Sequence, residues 1–207
     1  MKKGPTRREF GSGLALAGAM GLGFRPALAQ TKEVRVAMIA PLSGPWARQG
    51  QLMRMGADMA IEEINQKGGV RALGGAKMVL VVADAGDSTE KAKNAAQRLL
   101  AQDPDLVGGT GAWLSSFTLA VTEVTERAQL PMLTLSYSDL ITGRGFKYVF
   151  QTSPTAGHQA AETLPTALNL AESATGKRPK TVGILMDNTA APCAPFRQVA
   201  SHPRAAA

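Results

Sequence analysis

Apolar residues recur with two different periods along the chain, and stretches of the two kinds alternate. Short apolar runs bounded by Pro and Gly predict strands that are buried on both faces. The stretches between them carry apolar residues at helical spacing, which predicts helices. This order predicts an α/β protein with a doubly wound parallel sheet. The predicted strands are 34–40, 78–83, 106–107, 131–135, 147–152 and 181–186, and the predicted helices are 53–67, 88–100, 117–127 and 157–174.

The first predicted strand runs into a stiff turn, Pro41-Leu42-Ser43-Gly44-Pro45-Trp46. Its prolines and its glycine fix the backbone, so we expect Trp46 to stand on a rigid support. Ligands of open α/β sheets bind at the carboxyl ends of the strands. Trp46 is therefore a candidate cover for an apolar part of a ligand, and Gln49 is a candidate polar contact. Packing of Trp46 on the scaffold and solvation of Gln49 are the alternatives.

A second candidate element follows the third predicted strand, where Gly108-Gly109-Thr110-Gly111 leads to Ser115 and Ser116. We expect the glycines to form a tight turn and the two serines to begin a helix, where backbone N–H groups and the helix dipole favour an anion. Helix capping by a serine hydroxyl is the alternative. A dinucleotide site fits poorly, because the third glycine of that motif is missing and the next strand ends without an acid.

The fourth predicted strand ends in Ser136-Tyr137-Ser138, at the same edge of the sheet. Hydroxyl and backbone groups at three neighbouring strand ends, with Ser115 among them, could together hold a zwitterion such as an amino acid. Serines in turns also commonly satisfy only the local backbone, and that alternative stays open.

Nothing in the sequence indicates catalysis, a metal or a cofactor. Ser115 has no identifiable base, and no nucleophile elbow is present. Asp84 and Asp87 follow a strand, where acids more often cap the next helix than transfer protons. The single cysteine and the two widely separated histidines form no ligand set. The sequence therefore predicts a binding protein without catalytic residues, metal or cofactor.

Composition and charge narrow the class of partner. Hydrophobic residues make up 44%, charged residues 19% and aromatic residues 5% of the chain, which is ordinary for a soluble α/β protein. Of the net charge of +7, residues 1–29 contribute +4 and residues 190–207 contribute +2, which leaves +1 for residues 30–189. A nearly neutral body with interspersed charges argues against binding of nucleic acid.

The N-terminus has the parts of an export signal. Arg7 and Arg8 form a twin-arginine motif before a short, glycine-rich apolar run, and Ala27-Leu28-Ala29 is a small-residue cleavage site. The apolar run is too short to span a bilayer. We expect residues 1–29 to be a signal peptide for the twin-arginine export machinery, cleaved after Ala29, and the mature chain to be soluble and periplasmic. An ordinary secretion signal or a short core helix is the alternative.

Together these segments resemble the leucine/isoleucine/valine-binding protein family, the type I periplasmic binding proteins of ABC importers, over residues 34–187. The resemblance implies two α/β lobes that close on a small-molecule ligand, with a first lobe at 30–154 and the start of a second at 155–189. Its landmarks are Pro41-Leu42-Ser43-Gly44-Pro45, Ala60-Ile61-Glu62-Glu63-Ile64-Asn65 with Gly68-Gly69, Asp84, Trp113-Leu114-Ser115-Ser116, and Pro131-Met132 leading to Ser136-Tyr137-Ser138.

The resemblance also implies roles for the candidate residues. Ser115, with Ser116 beside it at the helix start, matches the serine that binds the α-carboxylate of an amino acid. Ser138 matches the hydroxyl that contacts the amino group, and Ser136 supplies backbone contacts. The loop that covers the ligand falls near Trp46 and Gln49.

The function implied is that of an extracytoplasmic solute-binding protein of an ABC importer. Its ligand is an amino acid of the branched-chain type or a related small carboxylate or amide, and its partner is the importer's membrane permease. A ligand-sensing module of a regulatory system is the alternative, and a nucleotide-dependent enzyme is a weaker one. Family members are longer than this chain, and residues 190–207 lack periodicity, so we expect a truncated or frameshifted chain with an aberrant tail.

Overall fold

A parallel five-stranded sheet forms the centre of the chain, as the alternating pattern predicts. The computed structural model describes residues 33–181 and 183. The order of the strands is β2-β1-β3-β4-β5, and every neighbouring pair is parallel. All five carboxyl ends therefore lie along one edge. The strands are β1 (Val34–Ala40), β2 (Met78–Asp84), β3 (Leu106–Gly111), β4 (Met132–Thr134) and β5 (Val149–Gln151).

Two helix ends lie where capping residues in the sequence predict them. Ser88 caps the second helix, because its Oγ accepts a hydrogen bond of 3.2 Å from the backbone N of Lys91. The first helix ends before Gly68 and Gly69, which have φ of 97° and 73° and form the expected left-handed cap. No helix in the described ranges is long and apolar enough to cross a membrane. The helices are α1 (Ala47–Gln66), α2 (Thr89–Gln102), α3 (Ser115–Arg127) and α4 (Ala156–Thr175).

Helices α2 and α3 cover one face of the sheet. Successive residues of a strand point to opposite faces, and Ala37 and Ile39 of β1 belong to the buried cluster that these two helices complete. The helices also pack on each other, which the small alanine side chains of α2 permit. The helical members of the cluster are Ala92, Ala95, Ala96, Leu99, Phe117, Val121 and Val124.

Helix α1 packs on the other face, over β1 and β2. Ile61 and Ile64 of α1 are half-buried, but Met55 and Met59, which share the predicted apolar pattern, are 60% and 70% exposed. Beside α1 the strands β3 to β5 carry half-exposed apolar side chains on this face. These side chains and α1 line an apolar groove of about 610 Å³. The half-exposed side chains are Val107, Leu133 and Phe150.

Two elements differ from their predicted bounds by more than two residues at one end. Helix α1 begins at Ala47 rather than at residue 53, because the 3₁₀ turn Gly44–Trp46 leads directly into it and its polar first turn shows no apolar period. Strand β3 extends to Gly111, so the predicted glycine turn at 108–111 is wrong. A Cβ on Gly109 would lie 2.7 Å from Met132 Sδ and 3.0 Å from Ala37 Cβ. Glycine is required there because the neighbouring strands approach closely.

Some predictions fall on residues that the structure does not describe. The export signal with Arg7, Arg8 and Ala29, most of the predicted strand 181–186, and the tail 190–207 lie outside the described residues. The division into a first lobe at 30–154 and a second from 155 stays a prediction.

Candidate functional site

The carboxyl ends of β1, β3 and β4 are neighbours in the sheet. The turn that carries Trp46 follows β1, the segment 112–114 and Ser115 follow β3, and Ser136 to Ser138 follow β4. The topology thus brings the predicted ligand contacts to one edge, as the parallel alternation implies.

Ser115 and Ser138 are in direct contact. The Oγ of Ser115 accepts a hydrogen bond of 3.3 Å from the backbone N of Ser138, and both residues are buried. Ser115 is the first residue of the thirteen-residue helix α3, and the residue before it, Leu114, makes no side-chain cap. Ser116 follows half-buried in the same first turn. This turn presents backbone N–H groups that lack intrahelical partners, which is favourable for an anion.

Two buried polar atoms at this edge lack a hydrogen-bond partner in the described part of the chain. They are the Oγ of Ser138, whose residue is 0% exposed, and the Oε1 of Gln49. Burying a hydroxyl or an amide without a partner is unfavourable, so native structures rarely do it. Both atoms belong to residues that the sequence singles out as ligand contacts.

Ser136 has a different environment from Ser138. Its Oγ lies 2.7 Å from the Oγ1 of Thr118 and donates a hydrogen bond of 2.9 Å to the carbonyl of Trp113. Its own carbonyl accepts from Nε2 of Gln151 at 2.8 Å. The hydroxyl of Ser136 is therefore engaged within the protein and fixes the backbone at Trp113.

Trp113 is a residue of this edge to which the sequence reasoning assigned no role. Its ring lies 5.1 Å from that of Trp46 between centroids, at an interplanar angle of 53°. Trp113 and Ala112 have φ of 49° and 68°, a left-handed conformation that costs energy for residues other than glycine. Gly111 precedes them, and a Cβ there would lie 2.2 Å from the carbonyl oxygen of Ile39. The position of Trp113 two residues before Ser115 is the signal that could have identified it.

Asp84 positions the turn after β1. One of its oxygens accepts from the backbone N of Leu42 at 2.8 Å, of Ser43 at 3.3 Å and of Gly86 at 2.8 Å. Burial alone would raise the pKa of Asp84, but the hydrogen bonds from Ser43, Gly86 and Leu42 outweigh it and lower the pKa below its ordinary value. The carboxylate therefore stays charged and holds the turn that leads to Trp46.

The expected capping by the two acids after β2 is wrong. Ser88 supplies the cap of α2, Asp84 binds the turn after β1, and Asp87 pairs with Lys91 at 2.8 Å. The hydrogen bond and the charge of Lys91 lower the pKa of Asp87. In the described ranges, no group of three or more His, Cys, Asp or Glu side chains lies together as a metal site.

The glycines of the third unit do not form a phosphate-binding loop. Gly108, Gly109 and Gly111 lie within β3, where their backbone pairs with β1, and the helix starts only at Ser115. A dinucleotide motif instead needs its glycines in the turn between the strand and the helix. This placement disfavours the nucleotide alternative.

The sequence matches a known family over most of its length. A family model described as periplasmic binding protein matches residues 33–205. The chain is 32% identical over 183 residues to Leu/Ile/Val-binding protein homolog 8 of Brucella abortus, and the match covers 86% of this chain and 42% of that protein. The chain thus spans less than half the length of this relative.

Solved structures of related proteins share the fold. An ABC transporter substrate-binding protein from Desulfitobacterium hafniense in complex with Leu is 29% identical with a TM-score of 0.57, over 69% of this chain and 39% of that one. A solute-binding protein of an ABC transporter from R. palustris in complex with 4-hydroxybenzoate is 25% identical with a TM-score of 0.56, over 70% and 37%. The chain therefore belongs to the periplasmic binding protein family, and within it to the leucine/isoleucine/valine-binding type.

Proposed function

We propose that the chain is part of an extracytoplasmic solute-binding protein of an ABC importer. Its ligand is an amino acid of the branched-chain type or a related small carboxylate or amide. The observation that carries this proposal is the pair of buried serines, Ser115 and Ser138, at the start of helix α3. A carboxylate at this point would receive N–H groups from the helix start and the hydroxyl hydrogen of Ser115, and the Ser138 hydroxyl would contact the amino group of an amino acid.

The other candidate residues complete the proposed site. Ser116 adds a hydroxyl in the first turn of α3. The carbonyl of Ser136 keeps a second lone pair beside its bond to Gln151, which an amino group can use. Trp46 covers an apolar part of the ligand, and the buried amide oxygen of Gln49 accepts from a donor on it.

The relatives support this class of ligand and partner. The two solved structures hold leucine and 4-hydroxybenzoate, which share a carboxylate and differ in everything else. Their description as ABC transporter proteins favours transport over a regulatory sensing module. We propose a membrane permease as the partner, twin-arginine machinery as the export route, and binding without chemical turnover.

The test is calorimetry with the purified chain and a panel of amino acids and small carboxylates. Substituting Ser115→Ala is expected to weaken binding by about 1–3 kcal/mol, because the charged group of the ligand loses a hydrogen-bond donor. Thr166→Ala is the matched control, since this exposed hydroxyl of α4 bonds to the carbonyl of Glu162 in its own helix. Unchanged affinity of the Ser115 variant would refute the assigned role.

A further inference from the structure

The Trp46 and Trp113 side chains form a paired surface at the proposed site. The tilt of 53° between their rings leaves two indole planes that diverge rather than stack. Trp113 is 38% exposed and Trp46 is half-buried, so both residues are partly accessible to solvent. We refer to these two side chains as the indole pair.

Several interactions hold the indole pair in place. Trp113 adopts a left-handed backbone, and its carbonyl accepts from the buried hydroxyl of Ser136. The turn before Trp46 is held by two hydrogen bonds to Asp84, from the backbone N of Leu42 and of Ser43. An unfavourable backbone conformation persists only where its surroundings impose it, and such residues cluster at ligand sites.

The indole pair lies within a short distance of the proposed carboxylate anchor. Trp113 is two residues before Ser115, and two residues of chain span at most about 7 Å. A small ligand whose carboxylate meets the start of α3 can therefore reach Trp113, which is 38% exposed.

The acids at this edge are already engaged. Asp84 accepts three backbone N–H groups, Asp87 pairs with Lys91, and Asp139 accepts from the backbone N of Gly157 at 2.9 Å. These acids therefore have structural partners within the described residues, and a carboxylate ligand without an ammonium group would bind here without recruiting them.

We propose that the indole pair determines specificity and selects a compact carboxylate built on a flat aromatic ring over an aliphatic amino acid. This proposal rests on the proposed function and narrows its ligand class. Aromatic rings attract one another in offset or edge-to-face arrangements, beyond the effect of buried area. A flat ring can stack on one indole and direct its edge to the other, whereas a branched alkyl group gains only burial.

Three probes of similar size test the proposal on the full chain: benzoate, cyclohexanecarboxylate and leucine. Calorimetry and saturation-transfer NMR measure each affinity. We expect benzoate to bind about 3- to 10-fold more tightly than cyclohexanecarboxylate, the range that an added aromatic contact provides. Because the chain has only these two tryptophans, its indole fluorescence should also respond to benzoate.

Substitutions of Trp113 test whether its indole ring causes the preference for benzoate. Trp113→Leu should remove the preference for benzoate, and Trp113→Phe should retain most of it. Phe150→Leu is the matched control, because Phe150 is an exposed aromatic residue on the groove face of β5, and it should leave the ratio of affinities unchanged. Circular dichroism checks that each variant is folded.

The outcomes separate this proposal from the proposed function. Equal binding of benzoate and cyclohexanecarboxylate, or tighter binding of leucine, overturns the aromatic preference and leaves the carboxylate site intact. An equal loss of all three probes in Trp113→Leu also overturns it, because the indole would then only support the loop. If no probe binds, the proposed site itself is refuted. If neutral benzamide binds as well as benzoate, the charge of the carboxylate does not contribute to binding, and the preference for an aromatic carboxylate is overturned.

Discussion

The Ser138 hydroxyl provides a test in which stability and binding should change in opposite directions. Its Oγ is fully buried and has no partner in the described part of the chain, whereas its backbone N–H bonds to Ser115 and does not depend on the side chain. Substituting Ser138→Ala therefore removes only the unpartnered hydroxyl. We expect the ligand-free protein to become more stable and ligand binding to become weaker.

The magnitude follows from the burial of the hydroxyl. An unpaired buried hydroxyl costs about 1–3 kcal/mol in proteins, and its removal leaves a gap of one oxygen atom that offsets part of the gain. A net stabilisation of about 1 kcal/mol is expected, which raises Tm by about 2–4 °C in a chain of this size. Ser136→Ala is the control, because Ser136 is equally buried but pairs with Thr118 and Trp113. Losing these bonds should cost about 2 kcal/mol and lower Tm by about 4–8 °C.

The assay is thermal and urea denaturation of both variants, followed by circular dichroism without ligand. The reasoning is refuted if Ser138→Ala destabilises the chain as much as Ser136→Ala, since its hydroxyl would then have a partner in the folded protein. Ligand titration of the same samples gives the second readout. Stabilisation without any loss of affinity would show that the Ser138 hydroxyl is not a ligand contact.

Two further predictions concern the turn after β1. Gly50→Ala should destabilise the chain by about 3 kcal/mol, because its Cβ would lie 2.0 Å from the carbonyl oxygen of Pro41. Gly56 lies in the same helix, and a Cβ there would meet no atom within 4 Å. Gly56→Ala should therefore stabilise the chain by up to about 1 kcal/mol. Equal effects of the two substitutions in urea denaturation would contradict the close packing at Gly50. The pKa of Asp84 is lower in the folded protein than its ordinary value. The charged Asp84 carboxylate therefore stabilises the fold at pH values above its ordinary pKa, and this stabilisation is lost as the pH falls through the lowered pKa of the folded protein. The Asp84→Asn variant should therefore be less stable than the wild-type chain at pH 7 and should lose less stability than the wild-type chain below about pH 4. The same dependence of stability on pH in both proteins would show that Asp84 does not hold the turn.

The order of the elements follows from local patterns in the sequence. Val34–Ala40 and Met78–Asp84 are apolar runs between turn residues, and both are strands at nearly the predicted bounds. Ser88 and the Gly68-Gly69 pair mark helix ends by their own chemistry, independent of the rest of the fold. Elements fixed by neighbours in the chain are thus predictable from the sequence.

The failures occur where a distant contact decides the structure. The glycines of β3 indicate a turn by composition, yet the packing of Met132 and Ala37 against Gly109 makes them strand residues. Met55 and Met59 fit the helical period of α1, but they are 60% and 70% exposed, whereas Ile61 and Ile64 are half-buried. Neither outcome depends on residues close in sequence, so no local pattern could show it.

In the candidate site, too, some features are predictable from the sequence and others depend on contacts between distant residues. That Ser115 and Ser138 meet follows from parallel topology, because neighbouring strands end at the same edge. The hydroxyl of Ser136 is hydrogen-bonded, whereas that of Ser138 has no partner in the described part of the chain. This difference depends on side-chain geometry, which the pattern Ser-Tyr-Ser does not predict.

The features that break local rules at this edge lie together, and their combination supports a ligand site more than any one of them. Ala112 and Trp113 are left-handed without being glycine, and the Ser138 hydroxyl is buried without a partner. The left-handed backbone and the unpartnered hydroxyl each lower stability. Sequences tend to depart from local consistency where function requires it. Because these departures surround the start of α3, where an anion is favoured, a bound carboxylate would compensate for them jointly. Ligand should therefore stabilise the wild-type chain more than the Ser138→Ala variant, by the difference in their affinities.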